Sequence, residues 1–161
     1  MADARPRFIT PAGFGRIREE YEVLFGMERP KLVETISWAA SNGDRSENGD
    51  YIYGRKRLRE IDRRLGYLSK VMKTAKVVDP ASQNTDQVRF GATVELADEE
   101  DARRTLTIVG DDEADASSGR IGWSAPIARA LIGASRGDER TVRLPAGEKN
   151  YEIVAIRYPA G

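Results

Sequence analysis

Phe14, Ile17, Tyr21 and Leu24 recur at steps of three, four and three, the spacing of one apolar stripe along a helix. Thr10 followed by Pro11 is a start signal for that helix, an N-cap with proline at the first helical position. Pro30 removes a backbone donor and predicts a kink or a brief break, beyond which Leu32, Ile36 and Ala39 resume the stripe. A polar run, "SNGDRSENGD" at 41–50, separates this from a second stripe at Leu58, Ile61, Leu65, Leu68 and Met72. Two stripes of similar length around one polar turn predict an antiparallel coiled-coil hairpin over 1–78, with its tip at 41–50. Arms of about 26–32 residues would make a rod roughly 40–48 Å long. Gly54 and Gly66 interrupt the second arm, each weakening it by about 1 kcal/mol relative to alanine.

The period then changes. Residues 79–87 are rich in Pro, Ser, Asn and Asp and read as a connector, and 88–161 read as a second domain. Within it, 88–96, 104–110, 119–123, 140–144 and 151–158 have strand character, and "SAPIARALIGA" predicts one short helix with Ser124 near its N-cap. The fold class expected is α+β, a helical hairpin followed by a mostly antiparallel sheet with one helix.

Composition narrows the chemistry. The 161 residues contain no cysteine and no histidine, which excludes disulfides, thiolate metal sites and imidazole catalysis. The chain has no apolar run of membrane-spanning length and no leader-like N-terminus, so a cytoplasmic protein without membrane contact is expected. The net charge of zero hides an asymmetry: residues 1–76 hold 16 Lys and Arg against 11 Asp and Glu, and 51–76 alone hold 9 against 2. A basic segment on a neutral protein points to a local polyanion contact.

The turn holds Asp44, Glu47 and Asp50, more acid than turn geometry requires. Asp44 and Glu47 have capping-box spacing, so one reading is a plain helix cap. The other is chemical: two carboxylates three residues apart at the end of a rod can share a hard cation such as Mg²⁺ that a partner macromolecule helps to hold. Lys56, Arg59 and Arg63 share one face of the second helix, with Arg55 beside them, while Arg57 and Arg64 lie on a neighbouring face. That face is either a solvated surface with local pairs such as Lys56 to Glu60, or a track for backbone phosphates. Tyr51 and Tyr53 suit base stacking and hairpin packing equally.

The stretch "WAASNGDRSENGDYIYGRKRLREIDRRLGYL" at 38–68 resembles the Gre transcript-cleavage factors of bacterial RNA polymerase, in their GreB type. The likeness extends to "ITPAGFGRIREEY", "ERPKLVETISWAAS", "SAPIARALIG" and the C-terminal "PAGE" and "AIRY", nearly the whole chain. It implies an N-terminal coiled-coil hairpin and a C-terminal FKBP-like domain that docks on RNA polymerase. The hairpin would enter the secondary channel and stimulate the polymerase to cleave backtracked nascent RNA, so the protein would be no enzyme alone. By resemblance, Asp44 and Glu47 are the two tip carboxylates, holding a Mg²⁺ shared with the polymerase and positioning the attacking water. Arg45, Ser46 and Asp50 support the tip, and Arg55, Lys56, Arg59 and Arg63 match the basic patch that holds the extruded RNA 3′ end. Gly49, Gly54 and Asn42 depart from the usual pattern, the two glycines at places that could loosen the second helix.

Three other readings compete. A channel-binding inhibitor on the same scaffold would differ at the tip acids, which are intact here. A peptidyl-prolyl isomerase needs an aromatic-lined pocket, for which the second half offers only Phe90, Trp123, Tyr151 and Tyr158. A plain coiled-coil adaptor leaves the basic face unexplained. An apolar seam used internally predicts a monomer when the protein is free.

Overall fold

In the computed structural model, which describes residues 6–42 and 48–159, helix α1 (Pro11–Val23) starts where Thr10 and Pro11 place it. The Gly13 N–H donates to Thr10 Oγ1 at 3.0 Å, the N-cap bond that satisfies an otherwise orphaned donor. Pro30 does not break the helical path. One turn of π-helix, Leu24–Glu28, leads directly into α2 (Arg29–Ser41), and the Arg29 N–H donates to the Leu24 carbonyl five residues back. The wider turn makes room ahead of a proline ring that would otherwise press on the preceding turn, so the chain stays helical throughout. Helix α3 (Gly49–Thr74) completes the hairpin.

Its core is the predicted seam with small shifts. Ile17, Leu24, Ile36, Ala39, Ile61, Leu65 and Leu68 are buried, and Val71 rather than Met72 is the fully buried residue near the end of α3. Partners run in opposite directions along the two arms: Ile36 meets Gly54, Arg29 meets Asp62 and Glu20 meets Arg64. The arms are therefore antiparallel. Gly54 departs from its expected role as a weak point, because it is buried and faces the side chain of Ile36.

The second unit is a mostly antiparallel five-stranded sheet in the order β5 (Arg120–Gly122), β4 (Arg103–Val109), β3 (Thr93–Ala97), β7 (Gly147–Arg157), β6 (Glu139–Leu144). Only β4 and β5 run parallel in it. The period-2 alternation buries Val94, Leu96, Leu106, Ile108, Val142, Tyr151 and Ile153 against Ala128 and Leu131 of the short helix α4 (Pro126–Leu131). Ala125, not Ser124, is the N-cap of α4; the Ser124 N–H donates instead to Asp111 Oδ1 at 2.8 Å. The whole is α+β, with one class of structure in each unit.

The division between units differs from the boundaries read in the sequence. Contacts place the hairpin unit at Phe14–Thr74 and group the described residues through Gly13 with those from Ala75 on. The cause is a short parallel pair, β1 (Arg7–Ile9) with β2 (Ala75–Val77), too short to leave a periodic signature. It carries Phe8 against Phe90 and Trp123, with ring centroids 5.4 and 5.0 Å apart. Glu113, only 7% exposed, seals the same corner: Oε2 accepts from the Thr10 and Gly110 N–H groups at 3.0 Å each, and Oε1 accepts from the Thr10 hydroxyl. A buried carboxylate with three donors at a helix start is well matched to the positive end of α1.

The two helical glycines of α3 should respond oppositely to alanine. A Cβ on Gly54 would lie 2.7 Å from Ile36 Cγ1, whereas one on Gly66 would meet nothing within 4 Å. Gly66→Ala is expected to stabilise the chain by about 0.5–1 kcal/mol through helix propensity. Gly54→Ala is expected to destabilise it by about 1–3 kcal/mol through overpacking. Urea denaturation followed by circular dichroism at 222 nm (roughly the helical band) measures both; a stabilised Gly54→Ala chain would refute the close-packing account.

Candidate functional site

Asn48, directly before α3, ties the start of that helix to α2. Its Nδ2 donates to the Ala39 carbonyl at 2.6 Å, and its Oδ1 accepts from the Tyr51 N–H at 3.2 Å. Asn48 is thus the N-cap of α3, and it also fastens that helix to the end of α2. Asp44, Arg45, Ser46 and Glu47 lie outside the described residues. Asp50 is exposed in the first turn of α3, where negative charge complements the helix dipole. Among the described residues no cluster of three or more acids forms that could hold a metal ion.

The basic residues of α3 fall into two groups. Arg64 reaches across to Glu20 on α1 with Nε–Oε2 2.5 Å and Nη2–Oε1 2.8 Å, and its guanidinium also lies over the Tyr67 ring. Arg57 pairs with Glu60 at 3.4 Å. The i,i+4 pair Lys56–Glu60 that the spacing allowed is therefore replaced by Arg57–Glu60. The second group is Arg55, Lys56, Arg59 and Arg63: all four are exposed, and among the described residues none has an ion-pair or hydrogen-bonding partner for its side chain. Steps of three and four put Lys56, Arg59 and Arg63 on one face, and Arg55 adjoins it, one turn before Arg59. The structure brings together as one open cationic stripe the four residues that the sequence singled out.

A reciprocal pair steadies the opposite flank. Arg29 on α2 clasps Asp62 on α3 with Nε–Oδ1 2.7 Å and Nη2–Oδ2 3.4 Å. The hydrogen bond from Arg29 holds the Asp62 carboxyl below its usual range, and the one from Arg64 does the same for Glu20. Of the three acids on α3, Glu60 is thus bonded to Arg57 and Asp62 to Arg29, while Asp50 is exposed in the first turn. Asn48 was missed in the sequence because the Asp44–Glu47 spacing offered a competing capping box; Asn is as good a cap as Asp, and its position directly before Gly49 was the available signal.

Comparison with known proteins covers almost the full chain. Residues 7–77 match the family described as transcription elongation factor, N-terminal, and residues 83–158 match transcription elongation factor, GreA/GreB, C-term. Transcription elongation factor GreB of Neisseria meningitidis serogroup B is 46% identical over 159 residues, covering 98% of each chain. Transcription elongation factor GreA of Alkalilimnicola ehrlichii is 41% identical over 152 residues, 93% of this chain and 96% of the relative. Among solved structures, transcription factor Gfh1 aligns with 96% of this chain and 99% of its own, at 21% identity and a TM-score of 0.46.

The two clasped carboxylates give the hairpin an acid-side weakness. Because their folded pKa values lie below the unfolded ones, their contribution is complete above the ordinary carboxylate range, about 4, and is lost as the pH falls through the lower folded values. Both pairs are more than a third exposed, so each is worth about 1 kcal/mol or less. Asp62→Asn is expected to lower stability at pH ~7 by that amount and to flatten the loss below pH ~4. Urea midpoints of the two proteins at both pH values would show it; an unchanged acid-side slope would remove the pair from the account.

Proposed function

This chain belongs to the GreA/GreB family of transcription elongation factors, and from that premise we propose that it enters the RNA polymerase secondary channel hairpin-first and stimulates cleavage of backtracked nascent RNA. The observation that carries the reading is the open stripe of Arg55, Lys56, Arg59 and Arg63 on α3, the helix that follows Asp44 and Glu47 in the sequence. Rows of unpaired cations are what a displaced single strand requires along its phosphates. The factor is then not an enzyme alone but a partner that completes the active site of another.

In this proposal the division of labour follows residue chemistry. Arg55, Lys56, Arg59 and Arg63 hold the extruded RNA 3′ segment and keep it aligned with the tip. Asp44 and Glu47 offer hard oxygen donors of the kind Mg²⁺ takes, and two such donors leave most of its coordination to the polymerase and water. A Mg²⁺ held there supplies Lewis acidity for phosphodiester hydrolysis. Asp44 and Glu47 orient the attacking water, and Arg45, Ser46 and Asp50 support the turn that presents them. The protein works in the cytoplasm, as a monomer when free.

Transcript cleavage in a purified backtracked elongation complex tests the tip. Wild type is expected to release a short 3′ fragment, and the Asp44→Asn, Glu47→Gln chain to bind polymerase equally while stimulating on the order of 100-fold less. Equal cleavage by the two would reduce the acids to structural residues. A wild type that binds and does not stimulate would identify a channel-binding inhibitor instead. The stripe is tested separately by salt. Arg59→Ala with Arg63→Ala is expected to reduce the slope of log affinity against log salt for single-stranded RNA by about 1.4, two phosphate contacts at about 0.7 each.

A further inference from the structure

The structure separates the two tyrosines that the sequence left with alternative uses. Tyr51 is half-buried, and its N–H is held by the Asn48 cap. Tyr53 is 69% exposed. On the facing arm Trp38 is 62% exposed, although it sits in a hairpin with an apolar seam that could have taken it. Burying a large apolar side chain stabilises a fold by about 1.5–3 kcal/mol. Two large rings are therefore left in water near one end of the hairpin.

They stand at the same level. Ile36 packs on Gly54, and the Ala39 carbonyl is bonded by Asn48, so the antiparallel register sets Trp38 opposite the first turns of α3. They also lie in line with a groove. Glu28, Lys31, Leu32 and Thr35 of one arm and Arg57 and Ile61 of the other line a depression between the arms. Trp38 follows Thr35 by three residues and Tyr53 precedes Arg57 by four, so each stands one turn nearer the tip on the face that lines this depression. Among the described residues neither ring has a ring contact or a side-chain hydrogen bond.

We propose that Trp38 and Tyr53 form a base-stacking pair for single-stranded RNA at the tip end of the hairpin. This rests on the RNA-handling role above and deepens it, adding contact with the bases to contact with the phosphates. The charge around the rings selects this occupant. Lys56, without a partner among the described residues, follows Tyr53 by three positions, one turn along the same side of α3, and Lys31 lines the groove. Exposed rings interleaved with unpaired cations suit a polyanion with flat apolar bases. An apolar protein surface would gain nothing from that charge. Stacking is tolerant of base identity, which a factor meeting arbitrary transcript ends needs.

Trp38 is its own reporter, because the other tryptophan, Trp123, is buried in the sheet unit. The experiment titrates the full-length protein at low salt with an unstructured oligouridylate, and separately with inorganic polyphosphate of equal charge. Oligouridylate is expected to quench tryptophan emission, and polyphosphate, which has no bases, to compete for binding without quenching. Trp38→Ala and Tyr53→Ala are each expected to weaken oligouridylate binding roughly 5- to 150-fold, the range for loss of one stacked base, while Tyr53→Phe keeps it. Unchanged affinity in both alanine variants, equal quenching by polyphosphate, or no RNA binding overturns the proposal. So does quenching by core polymerase without RNA in place of quenching by oligouridylate, which would make the pair a protein contact. No polymerase is needed for the RNA arm, so its outcome is read whether or not wild type stimulates cleavage.

Discussion

The contact of Gly54 with Ile36 governs what the hairpin can present. A glycine facing an isoleucine side chain lets the two arms approach, and the approach sets their register. Two further ties lie on the same register. Asn48 bonds the last turn of α2, and Arg29 clasps Asp62 further down. With the register set, Ile61, Leu65 and Leu68 must point into the seam. Residues at the complementary positions of the 3.6 repeat, Lys56, Arg59 and Arg63 among them, must then point out. The open cationic face of α3 is the unavoidable reverse of its packing face.

Electrostatics sorts the cations that this geometry exposes. An arginine with a carboxylate in bidentate reach is already satisfied, and a phosphate would have to displace that partner. Arg29 and Arg64 are in this state, bonded to Asp62 and Glu20. The depressed carboxyl pKa values of those two acids are the same fact seen from the other side. Arg55, Lys56, Arg59 and Arg63 have no such partner among the described residues, so binding a polyanion releases only water and counterions. Of nine basic residues in 51–76, the fold thus withdraws some for its own cohesion and leaves a contiguous set available.

Much of this was legible in the order of residues. Apolar steps of three and four placed both arms and nearly all of the seam, because helix period and burial are tightly coupled. Strands were found as runs, with boundaries shifted by a few residues: Val88 and Phe90 are core residues that precede β3 rather than belong to it. What stayed hidden was non-local. The β1–β2 pair joins segments nearly 70 residues apart and is three residues long. Glu113 reads as one more loop acid until Thr10, Gly13 and Gly110 are seen around it. Pro30 signalled a disturbance correctly in place and wrongly in kind, since a π turn accommodates it without a break. Gly54 was misread for the same reason: its propensity is local, but its function is a contact with the other arm.

The zero net charge bears on how such a stripe can act. A protein with a strong overall positive charge is drawn to any nucleic acid over distances up to a Debye length, about 8 Å at physiological salt. A neutral chain has little of that long-range attraction, because the acids of its second half offset the bases of its first. Contact with a polyanion then depends on bringing the stripe to within a few ångströms of the phosphates, where local pairing exceeds screening. Presentation, rather than general affinity, becomes the selective step. A stiff antiparallel hairpin suits that requirement, because it holds the cations in a row and advances them together. The exposed rings at its end obey the same rule, since stacking acts only at contact.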